Sequence, residues 1–334
     1  MDKVRWGVLG NANIARKALV PAIKAAGSAE LKGIASRQSK KAERAAEELG
    51  FDKHYGSYEA LLADPEIDAV YIPLPNGLHA EWVAKAAKAG KHVLCEKPAA
   101  LTAAEAAKMI EECRRHEVLF MEAFMYQFHP QHERVKEIIA DGEIGDVRVM
   151  RSQFSFAMKD PANVRLNREL GGGCLYDVGC YCIHAARYIL AQEPSKVYAQ
   201  AHLDAEFDNV DMTTAGMLSF EKDIQLLFDC SFESFPQENY QVIGEKGNIQ
   251  VTHPFRPDKN KDGKARIYIT TEDGEKREES IPGEAYALQV EHFSQCVLDG
   301  TEPVYSGEQT IQNMKVIDAC YESIRSGETV ELRR

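Results

Sequence analysis

Short runs with β propensity alternate with amphipathic helical stretches over the first 122 residues of this chain. Strands that alternate with helices in this way are typical of a parallel sheet with crossover helices. The predicted strands are Val4–Leu9, Leu31–Ser36, Ala69–Leu74, His92–Cys95 and Val118–Met121. The predicted helices are 14–26, 39–49, 58–62, 78–89 and 103–116. Residues 1–122 are therefore predicted to form a doubly wound α/β domain of the Rossmann type.

After Glu122 the pattern changes to longer strands separated by turn residues, with helices before and after them. The predicted strands are 147–156, 196–205, 213–220, 224–232, 240–243, 249–252 and 266–271, and the predicted helices are 131–139, 177–190, 286–298 and 310–324. The polar stretch 254–264 is expected to be an exposed loop. Residues 123–334 are predicted to form an α+β domain with a largely antiparallel sheet.

Composition limits the partners and the location of the protein. The net charge of -12 disfavours nucleic acid and anionic membranes, which are bound through clustered lysine and arginine. No apolar run approaches the ~18 residues of a membrane span, and no signal peptide precedes the first strand, so a cytoplasmic protein is expected. The eight cysteines are expected to be buried thiols. Cys174, Cys180 and Cys182 lack the spacing of a zinc site, and no metal is expected.

The turn after the first strand has the pattern of a dinucleotide site. Gly10, Ala12 and Ala15 occupy the positions where such a site needs a glycine or a small residue. Alanine replaces the usual second glycine, so the diphosphate is expected to use the amides at the helix start. The cofactor-binding prediction covers Gly10, Asn11, Ala12, Asn13 and Ile14; the alternative is that these small residues only pack the helix on the strand.

The end of the second predicted strand indicates which dinucleotide is preferred. A carboxylate usually found there binds the ribose hydroxyls of NAD, but this chain has Ser36 and Arg37. A hydroxyl and a guanidinium suit the 2′-phosphate of NADP. NADP is therefore predicted, with NAD possible, although Arg37 is alternatively an ordinary solvated residue.

Two further segments follow predicted strands at the edge of the sheet where ligands bind in doubly wound folds. In the first, Pro75, Asn76 and His79 are predicted to contact the cofactor, or else to serve as a helix cap and a surface histidine. In the second, Glu96 and Lys97, which precede a proline, are likewise predicted to contact the cofactor. A lysine there can bind a substrate oxygen and favour the charged form of a neighbouring acid, although a strand-end lysine is often simply solvated.

A glycine run and a helix supply the partner residues for that lysine. Gly171–Gly173 lack side chains and would let another molecule approach closely. Asp177 and Tyr181 follow four residues apart on one helical face, and His184 shares that face. The row is alternatively a buried hydrogen-bonded network, but three polar side chains are unfavourable to bury for packing alone. A tyrosine near a lysine is suited to proton transfer in alcohol–carbonyl interconversion.

These motifs, in this order along nearly the whole chain, resemble the glucose-fructose oxidoreductase and inositol dehydrogenase family. The motifs are Gly7-x-Leu9-Gly10-Asn11-Ala12-x-Ile14-Ala15, Pro75-Asn76-x-x-His79, Glu96-Lys97-Pro98 and Gly171-Gly172-Gly173-x-Leu175-x-Asp177-x-Gly179-x-Tyr181. The resemblance implies a Rossmann domain and an open-faced, mainly antiparallel sheet domain that supports a homodimer or homotetramer, with substrate bound between them. It also implies that Lys97 and Asp177 belong to the catalytic site.

The acid–base position of the family is Tyr181 in this chain. The inositol dehydrogenase branch has a histidine there, whereas tyrosine resembles the branch with glucose-fructose oxidoreductase, dihydrodiol dehydrogenase and xylose dehydrogenase. The segments 122–126, which ends in Tyr126, and 163–165, which contains Asn163 and Arg165, also resemble that branch. These three residues are therefore predicted to contact substrate. For Asn163 and Arg165 the alternatives are contact with the cofactor or a role as plain surface polar groups. His184 is not assigned the proton transfer.

The resulting hypothesis is an oxidoreductase that moves a hydride between NADP and a carbinol carbon of a sugar, polyol or related diol. Tyr181 exchanges the hydroxyl proton and Lys97 stabilises the developing negative charge. Two alternatives remain open at this stage: a non-catalytic NADP-binding sensor or co-regulator on the same fold, and a nicotinamide-dependent glycosidase.

Overall fold

The computed structural model describes residues 2–332, which divide into two units, each with its own sheet. The first unit comprises the chain up to Met125 together with Ala285–Ile311. The second comprises Tyr126–Glu284 and the chain from Gln312 onward. The sequence places a single boundary after Glu122, whereas the first unit of the structure extends to Met125 and also includes a segment near the C-terminus.

The first unit follows the alternating pattern of the sequence. Its elements up to Glu122 are β1 (Val4–Leu9), α1 (Val20–Ala25), β2 (Ala29–Ala35), α2 (Ser39–Leu49), β3 (Lys53–Tyr55), α3 (Tyr58–Leu62), β4 (Ala69–Ile72), α4 (His79–Lys88), β5 (His92–Cys95), α5 (Ala103–Arg115) and β6 (Phe120–Glu122). The strands pair in parallel in the order β3-β2-β1-β4-β5-β6. This is the strand order of the Rossmann fold, whose order reverses between β1 and β4.

Burial and capping explain why these segments form their elements. Every residue of β4 is buried, as expected for an inner strand of a parallel sheet with helices on both faces. Thr102 caps α5 by accepting a hydrogen bond of 3.1 Å from the Glu105 amide, while Gly50 ends α2 in the left-handed conformation.

The second unit is built on a mixed sheet. Its elements up to residue 281 are α6 (Gln131–Ala140), β7 (Val147–Ser155), α7 (Cys180–Leu190), β8 (Lys196–Asp204), β9 (Val210–Ser219), β10 (Gln225–Ser231), β11 (Gln237–Gly244), β12 (Gly247–Thr252), β13 (Ala265–Thr271) and β14 (Lys276–Ile281). Two helices and a short strand follow: α8 (Ala285–Asp299), α9 (Gly307–Ser326) and β15 (Val330–Glu331). The strand order is β14-β13-β12-β11-β7-β10-β9-β8-β15, and pairing is antiparallel except between β7 and β10.

Helix α8 belongs to the first unit, although it follows the second sheet in sequence. The Trp6 indole donates to the Ser294 hydroxyl at 3.1 Å, and the Glu291 carboxylate accepts from the Gly27 amide at 2.7 Å. Trp6 is fully buried and lies in β1. The helix therefore covers the start of the Rossmann sheet, a long-range packing that periodicity in the sequence does not reveal.

The predicted fold class, a doubly wound parallel sheet followed by a mostly antiparallel one, is confirmed. The eight cysteines of the chain are free and buried, as the sequence predicted. Among the helices of residues 2–332, none has both the length and the apolar character required to cross a membrane.

Candidate active site

Gly10 forms the turn between β1 and the first helix. Its φ of +110° is rarely adopted by residues with a side chain, and a Cβ there would lie 3.3 Å from Leu74 Cδ2. The helix starts with a π-helical turn, Ala15–Leu19, and continues as α1. Residues 11–14 are exposed or half-exposed. The turn therefore presents backbone at a helix start, which is suited to binding a diphosphate.

A surface pocket lies at the end of β2. Ser36, Arg37, Gln38 and Lys41 line it, and the Ser36 hydroxyl accepts a hydrogen bond of 3.4 Å from the Gln38 amide. Lys41 adds a second cation that the sequence reasoning missed. The signal was its position in the first turn of α2, close in sequence to Ser36 and Arg37. Two cations and a hydroxyl around a pocket are suited to a phosphate.

His79, the first residue of α4, is fully buried. Its Nδ1 lies 2.9 Å from the Pro98 carbonyl oxygen and its Nε2 lies 2.8 Å from the Leu74 carbonyl oxygen. Burial lowers the pKa of His79 to about 4, so the imidazole is neutral at pH 7. The side chain links the segments that follow β4 and β5. Asn76 starts the short 3₁₀ turn Asn76–Leu78, directly after Pro75.

The segment after β5 holds Lys97 in a half-buried position. The hydroxyl of the buried Tyr71 donates to the Glu96 carboxylate. The second oxygen of that carboxylate accepts from the Lys97 amide at 3.3 Å, and the Lys97–Pro98 peptide is cis. The Glu96 carboxylate therefore holds the backbone that carries Lys97.

The glycine run packs against the protein itself. A Cβ on Gly172 would lie 2.5 Å from the Arg165 carbonyl oxygen, and a Cβ on Gly173 would lie 2.1 Å from Asp211 Oδ1. The Gly173 amide donates to the Arg165 carbonyl at 3.0 Å. The sequence predicted that the space left by the absent side chains would admit another molecule. In the structure, the space at Gly172 is filled by the loop that carries Arg165, and the space at Gly173 is filled by the buried carboxyl group of Asp211.

Arg165 and Asp177 form an ion pair. Arg165 Nε donates to Asp177 Oδ2 at 2.7 Å, and the two side chains are 44% and 13% exposed. Asp177 lies in the π-helical turn Leu175–Gly179 that precedes α7. Asn163 caps the turn that carries Arg165, because its side-chain oxygen accepts from the Arg165 amide at 3.1 Å. The arrangement gives a carboxylate and a guanidinium that can both contact a hydroxylated ligand.

Tyr181, in the first turn of α7, is 6% exposed and is surrounded by aromatic rings. Its ring centroid lies 5.0 Å from that of Phe255, 5.5 Å from that of Phe154 and 5.8 Å from that of Tyr126. These separations are typical of interacting aromatic pairs. The packing holds the phenol ring in one orientation.

Tyr126 and His184 share a hydrogen bond of 2.5 Å between the phenol oxygen and Nδ1. Both side chains are buried, and burial lowers the pKa of His184 well below its usual value. His184 is therefore neutral at pH 7. The Tyr126 ring packs against both the Tyr181 ring and the His184 ring, with centroids 5.8 Å and 5.4 Å away.

Phe255 is a residue that the sequence reasoning missed. It lies in the polar stretch 254–264, which was expected to be an exposed loop, yet it is fully buried against Tyr181. The buried Glu238 carboxylate holds the loop, because it accepts from the Phe255 amide at 3.1 Å and from Lys259 Nζ at 2.9 Å. One aromatic residue beside Pro254 in a polar stretch was the available signal.

The structure thus places Arg165, Asp177 and Tyr181 together at one helix start in the second unit, and the cofactor candidates and Lys97 on the first unit. Within residues 2–332, no three or more His, Cys, Asp or Glu side chains are grouped so as to hold a metal ion.

The chain is similar to several named oxidoreductases along most of its length. The chain is 40% identical to D-xylose 1-dehydrogenase (NADP(+)) 2 of Haloferax volcanii, over 98% of this chain and 99% of that protein. It is 29% identical to trans-1,2-dihydrobenzene-1,2-diol dehydrogenase of Xenopus tropicalis, over 89% and 90%. A 3-ketoreductase from Actinomadura kijaniata, solved with NADP and TDP-benzene, superposes with a TM-score of 0.91 at 31% identity over 96% of this chain and 98% of that one.

Family models match both units. Residues 4–124 match the oxidoreductase family with an NAD-binding Rossmann fold, and residues 132–250 match the GFO/IDH/MocA C-terminal domain. The predicted resemblance and the predicted nicotinamide dinucleotide cofactor are confirmed. This chain therefore belongs to the GFO/IDH/MocA family of NAD(P)-dependent oxidoreductases that act on sugars, polyols and related diols.

Proposed function

We propose that this protein is an NADP-dependent dehydrogenase that transfers a hydride between the cofactor and a carbinol carbon of a sugar, polyol or related diol, with Tyr181 as the acid–base group. The helix that begins at Leu175 carries the proposal. It presents Asp177, ion-paired with Arg165, and four residues later Tyr181. The phenol can transfer a proton, and the ion pair can bind hydroxyl groups. Both properties suit a sugar, polyol or diol substrate.

The residues of the first unit fit NADP. Gly10 allows the tight turn after β1 through its φ of +110°, and the exposed or half-exposed residues 11–14 that follow offer backbone amides at a helix start to a diphosphate. The pocket with Ser36, Arg37 and Lys41 supplies a hydroxyl and two cations for the 2′-phosphate. We assign Pro75 and Asn76 to the cofactor site, whereas His79 and Glu96 position backbone segments there. Bound NADP supplies the hydride acceptor.

The proton chemistry belongs to the side chains of this chain. In the oxidation direction, Tyr181 accepts the proton of the substrate hydroxyl while hydride leaves the carbon. We assign Lys97 to stabilising the phenolate form of Tyr181 that accepts this proton, and the negative charge on the substrate oxygen as the proton leaves. Asp177 and Arg165 bind further hydroxyl groups, with Asn163 holding the turn of Arg165. We assign buried Tyr126 to supporting the Tyr181 ring, since it packs against that ring and its hydroxyl is hydrogen-bonded to His184.

D-xylose is the first substrate to test, because the xylose dehydrogenase relative matches nearly the whole chain. The second candidate is reduction of a keto sugar carried on a nucleotide, favoured by the match to the 3-ketoreductase solved with TDP-benzene. The two candidates differ in reaction direction and in the charged group on the sugar.

The test is a panel of aldoses, polyols and diols in which formation of reduced NADP is followed by absorbance and the products are identified. Oxidation of at least one free sugar or polyol is expected. Tight NADP binding without turnover of any compound, including nucleotide-linked keto sugars, would instead favour a sensor. Cleavage of glycosides without net NADP reduction would favour a glycosidase.

We also propose that the protein forms a homo-oligomer through the outer face of the second sheet. Leu227 of β10 and Met217 of β9 are paired in register and are 42% and 40% exposed. Tyr198 of β8 continues this row opposite Met217. Large apolar side chains in a contiguous exposed row are typical of protein–protein contacts, and a second copy of the chain fits the resemblance.

A further inference from the structure

Asp211, the second residue of β9, is a buried acid that no part of the proposed chemistry uses. Its Oδ2 accepts from the Leu175 amide at 2.7 Å, from the Cys174 thiol at 3.2 Å and from the Thr214 hydroxyl at 3.3 Å. Its Oδ1 accepts from the Tyr321 hydroxyl at 2.8 Å. The residue is 2% exposed, and burial raises the pKa of its carboxyl above the usual value.

These contacts attach the carboxyl group to the start of the helix that carries the proposed reactive groups. Leu175 begins the π-helical turn that contains Asp177, so Oδ2 binds an amide that a helix start leaves without an intrahelical partner. A carboxylate at this end of a helix is also favoured by the helix dipole. Asp211 therefore serves as a cap supplied by a distant strand.

Gly173 connects this cap to the ion pair of the site. Its amide donates to the Arg165 carbonyl at 3.0 Å, and its carbonyl accepts from the Asp177 amide at 3.0 Å. A Cβ on Gly173 would lie 2.1 Å from Asp211 Oδ1, so the carboxyl group fills the space that the missing side chain leaves. Displacement of Asp211 would thus move the backbone of both Arg165 and Asp177.

We infer that Asp211 is a positioning residue of the reaction, which fixes the helix start that carries Asp177 and Tyr181. The inference rests on the proposed function for its catalytic consequence. A displacement of about 1 Å in a positioning group can lower turnover by about 100-fold without removing a reacting group. Asp211 is buried and reaches this effect through Leu175 and Gly173.

The test compares Asp211→Ala with Asp211→Asn in the full-length protein. Asp211→Ala is expected to lower kcat by about 10-fold or more, with KM for NADP within about twofold because the cofactor residues lie in the first unit. Asp211→Asn is expected to retain most of the activity. Its amide oxygen can still accept from Leu175 and its amide nitrogen can donate to the Tyr321 oxygen.

Tyr321→Phe is the matched control, because it removes one partner of Asp211 and leaves the contact with Leu175. We expect it to lower the melting temperature with kcat within about twofold of the wild type, since the helix cap remains. Should Asp211→Ala fail to fold, Asp211→Ser takes its place with the same readouts.

Hydrogen exchange provides a second readout that does not need turnover. In Asp211→Ala, the amides of Leu175 and Asp177 should exchange at least about 10-fold faster, with little change in the last turn of α7. Unchanged kcat, or unchanged exchange at these amides, would overturn the inference. If the wild-type protein turns over no substrate, the proposed function fails separately, and exchange alone decides the structural role of Asp211.

Discussion

At the residue scale, two exposed cations account for the proposed preference for NADP over NAD. Arg37 and Lys41 line the pocket beside Ser36, where a carboxylate would favour NAD. Burial raises the pKa of Tyr58, and the nearby positive charge of Arg37 partly opposes that rise. A 2′-phosphate brings negative charge and strong acceptors, so both cations contribute to NADP binding and little to NAD binding.

Arg37→Ala and Lys41→Ala should therefore each raise KM for NADP by on the order of 10-fold, the value of one charge-assisted contact of about 1.4 kcal/mol. KM for NAD should change by less than about twofold. Steady-state kinetics with both cofactors measures this. Lys40→Ala is the matched control, because Lys40 is exposed and does not line the pocket. Equal losses for both cofactors would argue against phosphate recognition.

At the scale of elements, the loop 254–264 contributes an aromatic side chain that packs against the proposed acid–base residue. Phe255 packs on Tyr181 and stacks on Phe154, with centroids 5.3 Å apart in the latter pair. Glu238 attaches this loop to β11 through the Phe255 amide and Lys259. The loop thus supports the orientation of the phenol as well as the core of the second unit.

Phe255→Ala should lower the free energy of unfolding by about 3–5 kcal/mol, the usual effect of removing a fully buried phenylalanine. It should also lower kcat, because the Tyr181 ring loses a wall. Urea unfolding and kinetics measure the two effects. The control is Phe235→Ala, the same substitution at a side chain that is 81% exposed, where an effect within about 0.5 kcal/mol is expected. A Phe255→Ala protein as stable and active as wild type would refute the role of the loop.

Elements with strong local signals were predictable from the sequence, and those that depend on distant partners were not. The four inner strands of the first sheet were predicted because their runs are rich in apolar residues, and β4 is apolar throughout. The edge strands β3, β14 and β15 were missed: β3 and β15 are short, and the charged residues of β14 give little strand signal. The sequence predicted ordinary helices at Ala15–Leu19 and Leu175–Gly179, and the π-helical turns found there were not predicted.

The candidate site divides in the same way. Gly10, Ser36, Lys97, Asp177 and Tyr181 could be proposed from short motifs, because each follows a strand or opens a helix. Lys41 was missed although its position in the first turn of α2, close to Ser36 and Arg37, was an available signal. Phe255 had only a weak signal, and Asp211 had none. The importance of Phe255 and Asp211 arises from contacts with residues far away in sequence, such as Tyr181 and Leu175.

At the scale of the whole molecule, the outer face of the second sheet predicts self-association. Leu227→Lys together with Met217→Lys should convert the oligomer to monomers, because charges would be buried without partners in the interface. Light scattering after size-exclusion chromatography measures the mass. Glu47→Lys is the control, at an exposed position on α2 of the first unit, outside the proposed interface. A wild-type protein that is monomeric at all concentrations would contradict the proposed assembly.

Buried neutral histidines predict how global stability depends on pH. Burial lowers the pKa of His132 to about 3 and that of His79 to about 4, below the unfolded value of about 6.5. The unfolded chain therefore binds protons first as pH falls, and stability declines from about pH 6.5 downward. Each histidine contributes up to about 1.4 kcal/mol per pH unit to that slope. His132→Gln should reduce the slope between pH 6 and 4 by about this amount in denaturant titrations; an unchanged slope would contradict the assignment.

The central claim is that Tyr181 transfers the proton while the first unit binds the cofactor independently. The most direct measurement is the turnover of Tyr181→Phe with the best sugar or polyol, together with its Kd for NADP. The account predicts a fall in kcat of on the order of 100-fold or more, the usual contribution of general acid–base catalysis, with NADP affinity within about twofold of wild type. Turnover equal to that of wild type would contradict the account.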